Sequence, residues 1–172
     1  MISLYTATVP AFRQTVDAVA GLLGKAETFA TEKGVDLQSL VDARLAPDML
    51  PFAYQVKSVA SHSTGAINGV RAGVFSPDMS ALPADFAAMR ALLDQTAAAL
   101  AALDPAEVDG FTGRDMAFVM GERRMEFTAE DFLLSFSMPN FYFHATTAYD
   151  ILRAEGVPLG KRDYLGRPRV KG

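Results

Sequence analysis

Two histidines are the residues of this chain best suited to chemistry. They are His62 and His144, and the sequence contains no further histidine and no cysteine. A neutral imidazole is a good ligand for Zn, Ni or Fe and also forms hydrogen bonds with small molecules. Because a metal site normally needs three or more protein ligands, the pair alone favours hydrogen-bonded histidines at the wet end of a core over a metal site.

Both histidines belong to segments with helical periodicity, and this periodicity predicts their neighbours. Residues spaced by three, four or seven positions share one face of a helix. On this basis, Gln55 lies on the face of His62, and Asn140 lies on the face of His144. We expect a polar pocket where these faces meet, between the second and last helices. The candidate ligand-binding residues are His62, His144, Asn140, Tyr149 and Gln55.

Apolar residues at helical spacing predict four long helices. Their predicted ranges are 9–31, 47–70, 83–103 and 138–155. Pro47 is interpreted as the first-turn proline of the second helix, because proline is well tolerated at that position. The segment 73–83 contains Ser76-Pro77-Asp78, a sequence typical of turns, and is interpreted as a loop.

A change of periodicity marks the region before the last helix. Within 116–127 the apolar residues alternate on either side of Gly121-Glu122, which predicts a β-hairpin with a type II′ turn. Thr128 is predicted to cap a short helix that ends near Phe136, and Ser137 to cap the last helix. The resulting prediction is an all-α fold: one domain over 1–172, an up-down four-helix bundle with a small hairpin inserted before the last helices.

Composition and charge exclude several classes of function. The formal charge is −4, which argues against a general affinity for nucleic acid. Removing the five basic residues and one acidic residue of 157–172 from totals of 16 and 20 leaves 11 basic and 19 acidic residues, a charge of −8. We therefore expect the basic tail, with its apolar pair Tyr164-Leu165, to dock on the acidic body or on a neighbouring subunit. No signal peptide or membrane span is evident, so the cytoplasm is the expected location.

The C-terminal third of the chain resembles a known superfamily. The segment from His144 to Gly156, with the sequence His-Ala-Thr-Thr-Ala-Tyr-Asp-Ile-Leu-Arg-Ala-Glu-Gly, resembles the final helix of the DinB/YfiT-like metal-binding helical bundles. More closely, Gly156-Val-Pro-Leu-Gly160 and the segment 44–55 resemble a bacterial branch of this superfamily, a domain of unknown function. The similarity extends over essentially the whole chain, and it implies the bundle fold.

The resemblance also implies a metal site, but one ligand is replaced. Superfamily members carry an H-x-x-x-H pair on the last helix and a further histidine on the second helix. His144 matches the second histidine of the pair and His62 matches the histidine of the second helix, whereas the first histidine falls at Asn140. A neutral amide oxygen suits Ca or Mg better than Zn or Ni. A divalent transition metal, Zn or Ni, is therefore expected to be weakly held at His62 and His144 or absent.

Three functional readings remain open at this point. The first is a small-molecule-binding protein or degenerate enzyme that uses the His/Asn/His pocket. The second is a metal-dependent enzyme, and relatives with an intact triad imply a reaction like that of the thiol transferases. The third is a structural or interaction protein whose polar core groups satisfy each other. A homodimer is expected because the apolar content is high for the size of the chain.

Overall fold

The computed structural model describes residues 2–171, and helices dominate it. The helices and strands are, in order, α1 (Leu4–Lys33), α2 (Leu37–Asp42), α3 (Phe52–Ala60), a first π-helical segment (Ser61–Gly65), α4 (Ala66–Ala72), β1 (Val74–Phe75), α5 (Phe86–Ala101), α6 (Pro105–Asp109), β2 (Asp115–Met120), β3 (Arg123–Thr128), α7 (Ala129–Asp131), a second π-helical segment (Phe132–Ser137), α8 (Met138–Ala154) and α9 (Lys161–Leu165). The fold is thus mostly helical, with a small three-stranded sheet. No helix of residues 2–171 is both long and apolar enough to span a bilayer.

The long helices pack around a shared apolar core. Helix α1 packs against α5 and α8, and α3 packs against the same two helices. At the centre, the ring of Phe12 on α1 meets that of Phe141 on α8 edge to face, with centroids 4.8 Å apart. Both rings are fully buried. This core holds α3 and α8 side by side, and these two helices border the histidines.

The second long helix begins later than the sequence predicts and contains a π-helical turn. Its first residue is Phe52, after Pro51, so the interpretation of Pro47 as its first-turn residue is wrong. The physical reason is Pro51 itself, since a proline disfavours helical backbone in the preceding residue, here Leu50. The first π-helical segment interrupts the helix at His62, and helical periodicity continues beyond it in α4.

The helices α7 and α8 are likewise joined by a π-helical segment, so that residues 129–154 are helical without a break. Thr128 caps α7 as predicted, because its hydroxyl accepts a hydrogen bond from the Asp131 amide. The prediction that Ser137 caps a separate last helix is wrong. Ser137 has helical backbone angles, and its side chain makes no capping bond. Its hydroxyl bonds instead to His62 on the neighbouring helix.

The small sheet confirms the predicted hairpin and adds a strand to it. Strands β2 and β3 pair antiparallel with Met116 opposite Phe127. Gly121 has a φ of +59° and Glu122 a negative φ, as a type II′ turn requires. The strand β1 pairs parallel to β2, with Phe75 opposite Phe118, so the predicted loop 73–83 begins with a strand. Two residues are too few to show an alternating pattern.

The C-terminal segment docks on α1 through the short helix α9, as the sequence predicts for the first part of the tail. Lys25 forms a salt bridge with Asp163, with 2.7 Å between Nζ and Oδ1. The Gln14 side chain donates a hydrogen bond to the Leu165 carbonyl. Thr146 of α8 lies within hydrogen-bond distance of the Tyr164 hydroxyl. The prediction extended to Gly172. Residues 167–171 are exposed, with Val170 83% exposed, so docking is not seen for them, and Gly172 lies outside the described residues.

Close packing between α4 and β1 generates a testable prediction. A Cβ added at Gly69 would lie 2.8 Å from Phe75 Cβ, whereas one added at Gly65 would have no neighbour closer than 3.7 Å. We expect Gly69→Ala to lower the free energy of unfolding by about 1–3 kcal/mol, because overpacking outweighs the gain in helix propensity. The matched control, Gly65→Ala, should leave it unchanged or raise it by up to about 1 kcal/mol. Urea denaturation measures both, and equal effects would contradict the packing account.

Candidate functional site

The two histidines lie beside each other between the second and last long helices. Their ring centroids are 5.8 Å apart, and their planes are 13° from parallel. His62 belongs to the first π-helical segment and His144 to α8, which packs against that segment. The structure therefore confirms the prediction that the two rings face each other.

The side chain of Gln55 fixes the orientation and tautomer of His144. The Gln55 Nε2 donates a hydrogen bond to the carbonyl of Leu50 at 2.8 Å, which directs Gln55 Oε1 towards the histidine. This oxygen lies 2.7 Å from His144 Nδ1. Because an amide oxygen only accepts, Nδ1 must carry the proton, and Nε2 of His144 keeps its lone pair. Gln55 is buried and contacts His144 at Nδ1, so Nε2 stays available to a ligand.

The hydroxyl of Ser137 has the corresponding role for His62. The Ser137 Oγ lies 3.0 Å from the carbonyl oxygen of His62 and 3.4 Å from its Nδ1. A carbonyl oxygen only accepts, so the single hydroxyl proton is donated to it, and Oγ accepts from Nδ1–H. Nε2 of His62 therefore also keeps its lone pair. Ser137 is fully buried and joins the two π-helical segments, which are often found at functional sites.

Both Nε2 atoms are free to meet a ligand. Among residues 2–171 neither of them has a protein hydrogen-bond partner. No side-chain nitrogen or oxygen in that range is both buried and without a partner, so both atoms reach open space. Next to them, Asn140 donates its Nδ2 to the carbonyl of Phe136 at 2.6 Å, which leaves its Oδ1 as an acceptor. Asn140 lies one turn before His144 on α8, as predicted.

A cavity of about 490 Å³ borders the two imidazoles and Asn140. Its walls combine aromatic and apolar side chains with a few polar groups, as in many small-molecule sites. The remaining lining residues are Leu50, Tyr54, Lys57, Ser58, Ser61, Phe75, Pro77, Asp78, Met79, Ser80, Leu82, Phe118 and Phe136. A second cavity, of about 570 Å³, shares Phe75 and Lys57 with it but contains no histidine. We assign the site to the histidine cavity, because the unpaired ring nitrogens lie there.

Lys57 holds the loop that covers the cavity. Its buried ammonium contacts the carbonyls of Asp78 and Ser80 at 3.0 and 2.6 Å. It also forms a salt bridge with Asp78, with 3.3 Å between Nζ and Oδ1. The Ser80 amide donates to the same carboxylate oxygen. The Ser80 side chain and then its amide, together with Lys57, hold the pKa of Asp78 below its ordinary value. A buried charge needs such partners, so the loop and Lys57 depend on each other.

Both histidines are neutral at physiological pH. Burial lowers the pKa of His62 to about 4, and the neighbouring His144 adds to this shift. Burial alone lowers the pKa of His144 to about 4. The groups that bond to Nδ1, Gln55 and Ser137, are neutral, so they do not favour the protonated imidazolium form. The site therefore presents uncharged rings with lone pairs, which can accept a hydrogen bond or coordinate a cation.

Two of the five predicted ligand-binding residues, Gln55 and Tyr149, do not line the cavity, and other residues of the site were missed. Gln55 is buried and contacts His144 instead of the cavity. Tyr149 does not line the cavity, and its ring packs edge-on against Tyr164 of α9, with centroids 6.0 Å apart. It lies five positions after His144, which turns it to another face of α8. Ser137 and Lys57 were missed because serine at a helix start resembles a cap, and a lysine in a helix resembles a solvent-exposed residue. No periodicity signal identifies either contact.

The donor set can be tested against the metal that the resemblance implies. Two neutral imidazoles suit Zn²⁺ or Ni²⁺, but the third position is the neutral amide of Asn140. Zinc sites use three or more histidine, cysteine or carboxylate ligands, and no such group of three is found within residues 2–171. The residues present therefore do not fit a tightly held transition metal.

The fold is shared with a solved structure. The crystal structure of a DinB family member protein from Shewanella denitrificans matches 98% of this chain and 95% of its own, with a TM-score of 0.82 and 28% sequence identity. This confirms the resemblance to the DinB-like proteins. The chain is thus a mostly helical DinB-like protein.

The family assignment is more specific. The family described as "Domain of unknown function (DUF1993)" matches residues 4–165, so the chain belongs to this family. No curated protein matches the chain. The function must therefore be argued from the site.

The lowered histidine pKa values predict how stability depends on pH. Since the pKa of each ring is about 4 in the folded state and 6.5 in the unfolded state, the unfolded chain binds more protons between these values. Stability should therefore fall as pH falls through this window. From pH 7 to pH 5 the loss should be about 1.8 kcal/mol for each histidine.

Urea denaturation at pH 7 and pH 5 measures this difference. The double variant His62→Gln/His144→Gln should show a smaller loss between the two pH values, whatever its stability at pH 7. Equal losses in the variant and the wild type would contradict the assignment of neutral, buried imidazoles.

Proposed function

We propose that this protein binds a small polar molecule in the histidine cavity. The observation that carries the proposal is that the two nitrogens of each ring differ in their hydrogen bonding. Gln55 and Ser137 hold the Nδ1 atoms, while the Nε2 atoms stay unpaired beside the cavity. A ligand that donates hydrogen bonds to these accessible lone pairs would use acceptors that no described protein group occupies.

The pocket also supports a degenerate enzyme as its origin. Asn140 occupies the position at which the resemblance implies a metal-binding histidine, and its amide donates a hydrogen bond to the Phe136 carbonyl of the second π-helical segment. In this reading, the pocket has kept two ligands of a former metal site and lost the third. A ligand that uses the imidazole lone pairs directly requires no metal.

A metal-dependent enzyme is the second candidate. Its support is the pair of Nε2 lone pairs, each oriented by a hydrogen bond at Nδ1, an arrangement typical of metal-binding histidines. We expect Zn²⁺ or Ni²⁺ to be weakly held at His62 and His144 or absent, because the amide is a poor third ligand. The third candidate, a structural protein, predicts polar groups that satisfy each other, and the unpaired Nε2 atoms argue against it.

Arrangement, assembly and location remain predictions. The packing of α1, α3, α5 and α8 supports an up-down four-helix bundle as the basic plan. A homodimer is supported by exposed apolar side chains: Phe143 of α8 is 57% exposed and Leu134 of the second π-helical segment 43%. A cytoplasmic location is expected from the sequence.

A fragment screen tests the proposed function. Ligand-observed NMR with small polar fragments should give hits on the wild type, and these should be lost in Asn140→Trp, which fills the cavity. The control Asn68→Trp places the same side chain at an exposed residue beside the second cavity and should retain the hits. Hits that survive Asn140→Trp, or no hits at millimolar fragment, would contradict a binding function.

A further inference from the structure

We propose that the ligand of the histidine cavity carries an ammonium group on a small aromatic body. This inference rests on the proposed function and names the chemical class of ligand that the site recognises. Three observations carry it: the free acceptor atoms of the cavity, the lysine whose donors are already paired, and the aromatic side chains around them.

The free polar atoms of the two histidines and of Asn140, which line the cavity, are acceptors. Nε2 of His62 and Nε2 of His144 carry lone pairs because each Nδ1–H is donated to Ser137 or Gln55. Oδ1 of Asn140 is an acceptor because its Nδ2 is donated to Phe136. A primary ammonium has three N–H donors and no acceptor, so it matches three acceptors.

The cation that lines the same cavity has no donor left to offer. A lysine ammonium has three N–H bonds, and Lys57 has three acceptors for them: the Asp78 carbonyl, the Ser80 carbonyl and Asp78 Oδ1. Its charge is balanced by the Asp78 carboxylate. An anionic ligand would therefore meet three lone pairs and a lysine that is already paired, and its donors would be neutral hydroxyls such as those of Tyr54 and Ser58. This argues against carboxylates and phosphates.

Aromatic rings surround the acceptors. Phe75 lies 5.5 Å and Phe136 6.2 Å from the ring of His62, measured between centroids. Tyr54 packs edge-on against His144 at 5.8 Å. Faces of aromatic rings attract cations and also pack against an aromatic ligand. The protein also carries a net negative charge, which favours the approach of a cation.

Three probes of similar size and different charge test the inference on the wild-type protein. Benzylamine, benzyl alcohol and benzoate share one ring and differ in the group attached to it. At pH 7.5 an alkylamine is protonated. Isothermal titration should show benzylamine binding about tenfold tighter than benzyl alcohol, since charge-assisted hydrogen bonds are stronger, with no measurable binding of benzoate.

The variant Gln55→Met tests the role of the tautomer. Without the Gln55 oxygen, the His144 ring is free to carry its proton on Nε2 and so to lose an acceptor. Benzylamine affinity should then fall about fivefold, while benzyl alcohol, which can donate or accept, should change less than about twofold. The matched control, Gln95→Met on α5, lies outside the cavity and should leave all affinities unchanged.

The outcomes separate this inference from the proposed function. Equal affinities for benzylamine and benzyl alcohol, or a preference for benzoate, would overturn the ammonium assignment while fragment binding still supports the cavity. Tighter binding of Nα-acetyl-lysine amide than of benzylamine would overturn the small aromatic body in favour of a peptide lysine. Stoichiometric binding of Zn²⁺ alone that excludes benzylamine would overturn the inference in favour of a metal site. Retention of the wild-type preference in Gln55→Met would contradict the tautomer argument.

Discussion

The contact between Ser137 and His62 is the interaction on which the site depends. One hydroxyl joins the two π-helical segments, because it donates to the His62 carbonyl and accepts from its ring. A π-helical turn accommodates additional residues compared with an α-helix, so the residues after it are rotated relative to an uninterrupted helix. The second segment precedes Asn140 and His144, and the first contains His62. The directions of all three side chains therefore depend on two local irregularities that one buried serine connects.

Electrostatics explains why the site can be half-buried without counter-ions. Both imidazoles are uncharged, and the charge of Lys57, which lines the same cavity, is compensated by Asp78 and two carbonyls. Neutral hydrogen-bonding groups are far less costly to bury than ions. The result is a surface of lone pairs and aromatic rings, which selects for donors and cations. The same feature connects the proposed binding function with the chemical class of its ligand.

Much of the fold could be predicted from the sequence, whereas the local geometry of the site could not. Helical and alternating apolar patterns identified the long helices and the hairpin, because burial of one face imposes those periods. The juxtaposition of His62 and His144 followed from helix faces and from the family resemblance. The two π-helical segments, the strand β1 and the role of Ser137 were missed. A single π-helical turn changes no residue preference strongly, and two residues cannot show a period.

The tautomers of the two histidines are the most direct test of this account. Long-range proton–nitrogen NMR correlations of ¹⁵N-labelled histidine distinguish a protonated nitrogen from one with a free lone pair. At pH 7 the account predicts that His62 and His144 both carry the proton on Nδ1 and none on Nε2. A proton on Nε2 of either ring, or a doubly protonated ring, would contradict it.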